Sequence, residues 1–391
     1  MTQQKIPVWY KQTEVGVIPT DWEVRKLWSI GVFSKWQWIR KDDVLISGYP
    51  CIRYGELYTR YSYYIKNYFS FISHEVSKTS RKLRKWDILF AGSWETKEEI
   101  WKCSSFLKDD EVYAWWDIVI LSPNKWDSKF LWYLLNSPSV IKQKASRWQW
   151  DAVVHISATS LSDIIISFPD TEEQSRIATN LSDTDELISQ LDELITKKKQ
   201  IKQWATQKLL TPKKDREVKK LGEIADIYTG NRNNQDKIEN WKYPFYVRSQ
   251  TIERINSYSF DGEAILVPGE GNIGNIFHYI NGKFDFHQRV YKISSFKEAY
   301  SGKYIYRYMH ENFWKYAMQN SVKATVDSLR LPTFQEFEIP FPKSKDEQIQ
   351  IATVLSDMDD EIQDLEQKKA KYEQIKQWAM QQLLTGKIRL K

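Results

Sequence analysis

Loops rich in arginine, asparagine, glutamine, lysine and serine recur along this chain of 391 residues. Arginine matches the two acceptors on a guanine edge, asparagine and glutamine match adenine, and lysine and serine suit phosphate oxygens. The same side chains also cover ordinary protein surfaces, so the pattern allows either a nucleic-acid interface or plain solvated loops. The loops span residues 51–60, 93–102, 146–155, 229–237, 247–254, 286–291 and 321–330.

Motifs of catalysis and metal binding are weak or missing. The sequence has no P-loop, no HExxH and no CxxC pair. The glycines of PGEGNIGN (268–275) follow a strand-like run, but no helical pattern comes after them, so we interpret this stretch as a tight turn. The histidines are scattered, and each is expected to be a core or surface residue. They are His74, His155, His278, His287 and His310. The sequence therefore predicts no catalytic residue and no metal site.

The bulk composition is that of a soluble globular protein. The net charge is +6, which is compatible with binding to nucleic acid but does not by itself indicate it. Two cysteines, Cys51 and Cys103, imply no disulfide framework. No apolar run reaches transmembrane length, and the first residues lack the apolar centre of a signal peptide. We expect a cytoplasmic protein.

The chain is one unit written twice. Residues 172–188 align with 346–362, and IKQWATQKLL (201–210) aligns with IKQWAMQQLL (375–384), both at a spacing of 174 residues. Further upstream the two copies also match, and this match sets Arg53 opposite Arg248. The upstream pairs are EVRKLWSI (23–30) with EVKKLGEI (217–224), and YPCIR (49–53) with YPFYVR (243–248).

Each copy ends in a heptad pattern that predicts a long helix after a Phe-Pro pair. The seam positions of the two helices are Ile177, Leu181, Thr184, Ile188, Leu191 and Ile195, and Ile351, Leu355, Met358, Ile362 and Leu365. Two such seams in one chain most simply pack on each other. The alternative is that each helix packs on its own domain.

The predicted fold class is α+β, with two mixed α/β domains in a repeat, each followed by a long helix. The two helices are expected to pack as an antiparallel coiled coil. Predicted strands cover 87–91, 117–121, 264–268 and 290–294, and a helix covers 303–319. The predicted boundaries are 1–170 and 213–343 for the domains, and 171–212 and 344–391 for the helices.

Four motifs together resemble the specificity subunit of type I restriction–modification enzymes. They are YKQTEVGVIPTDWEVRKL (10–27), FPDTEEQSRIA (168–178), FPKSKDEQIQIA (341–352) and LLTGKIRL (383–390). The resemblance covers essentially the whole chain. It implies a non-catalytic subunit whose two target recognition domains each read one half of a bipartite site in double-stranded DNA.

The resemblance also implies partners. The helices would form a spacer and dock two methyltransferase subunits, and motor–nuclease subunits would join them. S-adenosylmethionine, ATP and magnesium would belong to those partners, so this chain is expected to bind no cofactor. The alternative is a coiled-coil adaptor that binds proteins without DNA specificity.

Candidate residues follow from the loops and from the repeated helix ends. The candidate DNA-contacting residues are Arg53, Tyr54, Ser93, Thr96, Lys97, Arg147, Gln149, Arg232, Asn233, Arg248, Gln250, Asn272, His287, Gln288, Arg289, Lys323 and Thr325. The candidate partner-binding residues are Gln174, Ile177, Gln203, Leu209, Gln348, Ile351, Gln377 and Leu383.

Tryptophan is in excess and glycine is scarce. The chain has 18 tryptophans and 14 glycines, whereas average usage of about 7% predicts roughly 27 glycines. Trp28 lies opposite Gly222 in the repeat, and several tryptophans sit in turn-like polar settings. We hypothesise that most of these codons are UGA read as glycine in the source organism. The alternative is an aromatic recognition domain that stacks on bases.

Overall fold

The computed structural model describes residues 6–35, 39, 41–61, 64–94, 102–124, 126–146, 154–155, 157–213, 215–238, 242–321 and 328–391. The chain forms two compact units. The first contains Met1–Asp192 with Gln367–Lys391, and the second contains Glu193–Glu366. No helix in the described ranges is long and apolar enough to cross a bilayer.

The first unit combines short strands with small helices. Its described strands are β1 (Tyr10–Thr13), β2 (Gly16–Pro19), β3 (Glu23–Lys26), β4 (Gly31–Lys35), β5 (Tyr49–Ile52), β6 (Ser70–Ile72), β7 (Arg81–Lys82), β8 (Ile88–Ala91), β9 (Ser93–Trp94), β10 (Cys103–Ser105), β11 (Tyr113–Ala114), β12 (Ile118–Pro123), β13 (Val154–His155) and β14 (Ile165–Phe168). Its helices are α1 (Glu56–Thr59), α2 (His74–Thr79), α3 (Ser128–Leu135), α4 (Pro138–Ser146), α5 (Ala158–Ser162) and the first half of α6 (Thr171–Leu210).

The second unit has longer strands. They are β15 (Glu217–Lys220), β16 (Asp226–Thr229), β17 (Tyr243–Tyr246), β18 (Ile252–Ile255), β19 (Phe260–Pro268), β20 (His278–Phe286), β21 (Val290–Ser294) and β22 (Glu338–Phe341). Its helices are α7 (Leu221–Ile224), α8 (Gly302–Gln319), α9 (Leu331–Gln335) and α10 (Lys345–Leu383), the last of which ends in the first unit.

The main sheets of the two units have the same topology. The first unit orders its strands β10-β8-β12-β4, and the second begins β16-β21-β19-β20 and continues to β17 and β18. When the strand order of the first unit is reversed, it matches the first four strands of the second unit: β4 corresponds to β16, β12 to β21, β8 to β19 and β10 to β20. The predicted strands and the helix over 303–319 are confirmed by β8, β12, β19, β21 and α8. The α+β fold class and the repeat are therefore confirmed.

The two long helices start on their own domains and then pair with each other. Ile177 and Leu181 join the core of the first unit, and Ile351 and Leu355 join the core of the second. Further along, α6 and α10 are linked by ion pairs in which the residue number rises on one helix as it falls on the other. Both sequence alternatives thus hold, each for part of the helix, and the antiparallel coiled coil is confirmed.

Trp86 has a backbone conformation that favours glycine. Its φ is 80°, and a side chain in this left-handed region is strained. Trp86 lies in the turn that leads into β8. The side chain of Trp86 is largely exposed, so no tight packing offsets the strain. This geometry supports the hypothesis that position 86 is glycine in the native protein.

Replacing Trp86 by glycine should raise the free energy of unfolding by about 1–2 kcal/mol, because a non-glycine residue at positive φ costs on the order of 1–3 kcal/mol. Trp22 is the matched control, since it is 1% exposed. Trp22→Gly should lower the free energy by about 3 kcal/mol or more. Denaturant unfolding measures both. Equal losses from the two substitutions, or a UGG codon at position 86, would reject the hypothesis.

Candidate nucleic-acid interface

Four segments of the second unit converge at the end of β17 and form a polar group that we call the loop cluster. It consists of Arg232, Asn233, Arg248, Glu270, His287, Gln288 and Arg289. Backbone hydrogen bonds hold the four segments together. The backbone amide of His287 donates to the carbonyl of Tyr246 at 2.9 Å, and the backbone amide of Gln288 donates to the carbonyl of Arg232 at 2.8 Å. Six of these seven residues were candidates from the sequence, and Glu270 was not.

Side-chain contacts then order the loop cluster. The Gln288 amide donates to Asn233 Oδ1 at 2.5 Å. The guanidinium of Arg289 donates to Glu270 Oε1 at 2.8 Å, and that of Arg248 lies 3.5 Å from Glu270 Oε2. Arg248, Gln288 and Arg289 are exposed. The arrangement presents arginine and amide groups to solvent on one surface, which is the chemistry that base edges and phosphates need.

Arg232 is held from inside the domain. Its Nε donates to Asp285 Oδ2 at 3.3 Å and its terminal nitrogen to Ser257 Oγ at 3.0 Å. Asp285 is fully buried and also accepts from Ser259 at 2.8 Å. A buried carboxylate needs such partners. Asp285 therefore positions Arg232. It was not among the candidate residues, because a single aspartate in a strand gives no indication in the sequence that it is buried.

His287 is buried inside the loop cluster as a neutral ring. Burial lowers its pKa, and the nearby charges of Arg248 and Arg289 lower it further. The backbone amide of Arg289 donates to His287 Nδ1 at 3.0 Å, so the ring proton lies on Nε2. His287 thus offers a hydrogen-bond donor at neutral pH, not a positive charge.

The first unit has a related arrangement at the end of β5. Arg53 directly follows β5, whereas Arg248 is the second residue after β17, and the Arg53 guanidinium lies 5.4 Å from the centre of the Trp115 ring. The amide of Trp115 donates to the carbonyl of Ile52 at 3.0 Å, which is the place His287 takes in the second unit. Tyr54 is partly buried against the core. Trp115 is thus a neighbour of Arg53 that the candidate list lacked.

The remaining DNA-contacting candidates divide into two groups. Gln250 and Asn272 are exposed, and Asn272 Oδ1 accepts from Asn275 at 2.8 Å. The others lie outside the described residues, except that Ser93 is described in its backbone only. These candidates are Ser93, Thr96, Lys97, Arg147, Gln149, Lys323 and Thr325.

Most candidate partner-binding residues have roles inside the chain. Gln174 is buried and donates to the carbonyl of Pro169 at 2.9 Å, and Gln348 repeats this contact with Pro342 at 3.2 Å. These bonds tie the first turn of each long helix to its domain. The side chains of Ile177, Ile351 and Leu383 are buried, and that of Leu209 is partly buried. Heptad patterns mark apolar faces but do not say what covers them, so the sequence could not separate these positions from exposed ones.

Gln203 and Gln377 are exposed at matching positions of the repeat. Two residues earlier on each helix an isoleucine is also exposed, Ile201 at 41% and Ile375 at 42%, although residues two apart on a helix point to different sides. A cleft of about 680 Å³ in the second unit includes Gln203 in its lining. The same two exposed residue types thus recur on the long helix of each unit.

An acid–base pair joins the two helices in each unit, and it is buried in the first unit and half-buried in the second. In the first unit, Lys376 Nζ lies 2.6 Å from Asp185 Oδ1, and the hydroxyl of Tyr133 donates to Asp185 Oδ2 at 2.5 Å. In the second unit, Lys202 pairs with Asp359 in the same way, and Arg307 replaces the tyrosine. These residues occupy matching positions of the repeat. Tyr133 and Arg307 lie on α3 and α8, so each pair also ties a domain helix to the coiled coil.

Groups for catalysis or metal binding do not assemble in the part of the chain that the structure describes. It contains no cluster of histidine, cysteine and carboxylate groups suited to a metal ion. Both cysteines are buried, and burial raises the pKa of Cys51 to about 12. A thiol with such a pKa is a poor nucleophile at neutral pH.

The sequence matches the family model described as the type I restriction modification DNA specificity domain, once over residues 19–203 and again over 213–377. The chain belongs to this family. The double match agrees with the repeat seen in the strands and helices. Because the family supplies DNA recognition, the chain is a specificity subunit of a type I system and not an enzyme.

Several relatives of this specificity subunit are known. A putative type I restriction enzyme MjaX specificity subunit of Methanocaldococcus jannaschii is 27% identical, covering 98% of this chain and 97% of that protein. The EcoDI specificity subunit of Escherichia coli is 29% identical over 40% of this chain and 33% of that protein. Both alignments are to proteins named as specificity subunits.

Solved structures share the fold of this specificity subunit. The S subunit of a type I system from M. genitalium has a TM-score of 0.64 at 16% identity, covering 93% of this chain and 96% of that one. A chain from a study of complex assembly and conformational transition of a type I system has a TM-score of 0.56 at 14% identity, covering 95% and 99%. At these identities the likeness concerns the fold alone.

Breaking the buried pair of the first unit should cost far more stability than breaking its exposed neighbour. Asp185→Asn leaves Lys376 buried without its counter-charge, so the free energy of unfolding should fall by about 3 kcal/mol. Asp192 is the matched control because it lies two turns further along α6 and pairs with Lys369, but is 61% exposed. Asp192→Asn should cost less than about 1 kcal/mol.

Denaturant unfolding, with hydrogen exchange of the amides around residues 185 and 376, measures both effects. Equal losses from the two substitutions would show that the buried pair has no special role in the helix pair.

Proposed function

We propose that this specificity subunit recognises a bipartite target in double-stranded DNA, with one half-site for each unit. The loop cluster is the observation that carries the proposal. It gathers Arg232, Arg248 and Arg289 with two amide side chains on one domain surface. Arginine and amide groups suit guanine and adenine edges, and the extra positive charge suits the phosphate backbone.

The two half-sites are expected to differ in sequence. Arg53 is followed by Tyr54, which packs against the core of the first unit, whereas Arg248 lies beside Glu270 and close to His287 in the second. Similar backbones thus present different side chains at the same location. Two domains that share a backbone framework but differ in their DNA-contacting side chains suit a target whose two halves differ in sequence and are separated by a fixed gap.

The repeated exposed residues of the two long helices suit one partner that binds twice. Gln203 with Ile201, and Gln377 with Ile375, present the same exposed groups from the two halves of the repeat. We propose that two methyltransferase subunits dock here, and that motor–nuclease subunits join them. S-adenosylmethionine, ATP and magnesium are bound by those partners, and the complex works in the cytoplasm.

The proposal is tested by mapping methyladenine across a host genome after co-expression of this chain with its neighbouring methyltransferase. In the expressed gene, the tryptophan codons that we hypothesise to be UGA are replaced by glycine codons. The expected result is an interrupted two-part motif that disappears when the methyltransferase is expressed alone. A soluble complex that methylates without any motif, and binds DNA with no dependence on salt, would instead support the adaptor alternative.

A further inference from the structure

Glu270 is the acidic residue at the centre of the loop cluster. One oxygen accepts from Arg289 at 2.8 Å, and the other lies 3.5 Å from Arg248. The side chain of Glu270 is 22% exposed, whereas those of Arg289 and Arg248 are 50% and 44% exposed. A single carboxylate thus sits beneath two guanidinium groups that face solvent.

The backbone places Glu270 firmly. Residues 270 and 328 form a β-bridge. The amide of Leu329 donates to the carbonyl of Gly269 at 2.7 Å, and the amide of Gly269 donates to the backbone carbonyl of Arg289 at 2.8 Å. A Cβ at position 269 would lie 2.7 Å from the ring of Tyr291, so only glycine allows this close approach. Glu270 is therefore fixed to the same short stretch of backbone as Arg289.

This contact determines the orientation of Arg289. An arginine side chain has several rotatable bonds, and fixing it on binding costs conformational entropy. Arg289 uses one terminal nitrogen on Glu270, and a guanidinium has further donors in a fixed fork. Guanine offers O6 and N7 as two acceptors that such a fork matches. A guanidinium held before the DNA arrives is a pre-organised reader.

The charges also favour this role over phosphate binding alone. Two arginines against one carboxylate leave the group with a net positive charge, which attracts DNA. A carboxylate beside a phosphate would cost affinity. Its presence under the arginines is useful only if their orientation matters, and orientation matters for bases more than for the backbone.

We propose that Glu270 is a positioning residue for base reading: it holds Arg289 so that this guanidinium reads one guanine in the half-site of the second unit. The inference rests on the proposed function, because it assumes that the loop cluster faces DNA. Arg248 adds positive charge beside the reader and is the more loosely held of the two arginines.

The test is the methylated motif made by the complex of this chain with its methyltransferase. Glu270→Gln keeps the size of the side chain and removes its charge. The variant should still produce a two-part motif, but one guanine in one half should lose discrimination by about tenfold or more. Arg289→Lys keeps the charge without the fork and should relax the same position. This second variant decides the question if Glu270→Gln does not fold.

Glu336→Gln is the matched control, since Glu336 pairs with Lys220 away from the loop cluster, and it should leave the motif unchanged. The proposal is overturned if both loop-cluster variants keep the full motif. It is also overturned if Glu270→Gln strengthens DNA binding for all sequences alike, because the carboxylate would then only neutralise charge. A missing motif in the unaltered complex would instead remove the proposed function, and is a separate observation.

Discussion

A lysine from one long helix pairs with an aspartate from the other once in each unit, and the pair is buried in the first unit and half-buried in the second. Asp185 with Lys376, and Asp359 with Lys202, fix which residues of α6 and α10 lie side by side. Hydrophobic seams tolerate slippage by a heptad, whereas a buried charge pair does not, because a slipped register would leave two charges unpaired. Burial lowers the pKa of Lys376, although Asp185 opposes this effect. The pair therefore contributes more to register than to net stability.

The same ion pairs also attach each domain to the long helices. Tyr133 on α3 and Arg307 on α8 reach the aspartate of their own unit. Gln174 and Gln348 add a second attachment at the start of each helix. Each domain is thus tied to its helix at two points by side chains that occupy matching positions of the repeat. The loops differ between the units: His287 of the second unit takes the backbone position that residue 115 has in the first.

Much of this architecture was readable from the sequence, for identifiable reasons. The repeat at a spacing of 174 residues, the heptads and the β-branched runs predicted the helices, several strands and the fold class correctly. Loop composition led to six of the seven residues of the loop cluster. Glu270 was missed because its stretch has the look of a plain turn, and only the folded backbone brings it to Arg289. Gln174 and Gln348 seemed suited to a partner because a repeated polar residue carries no sign of burial.

We propose that each unit reads its half of the target independently while the helices fix the gap. The direct measurement is to replace residues 24–170 with the corresponding domain of a relative and map the methylated motif of the resulting complex. The account predicts that one half of the motif changes, while the other half and the gap stay the same. A change in both halves, or in the gap, would contradict it.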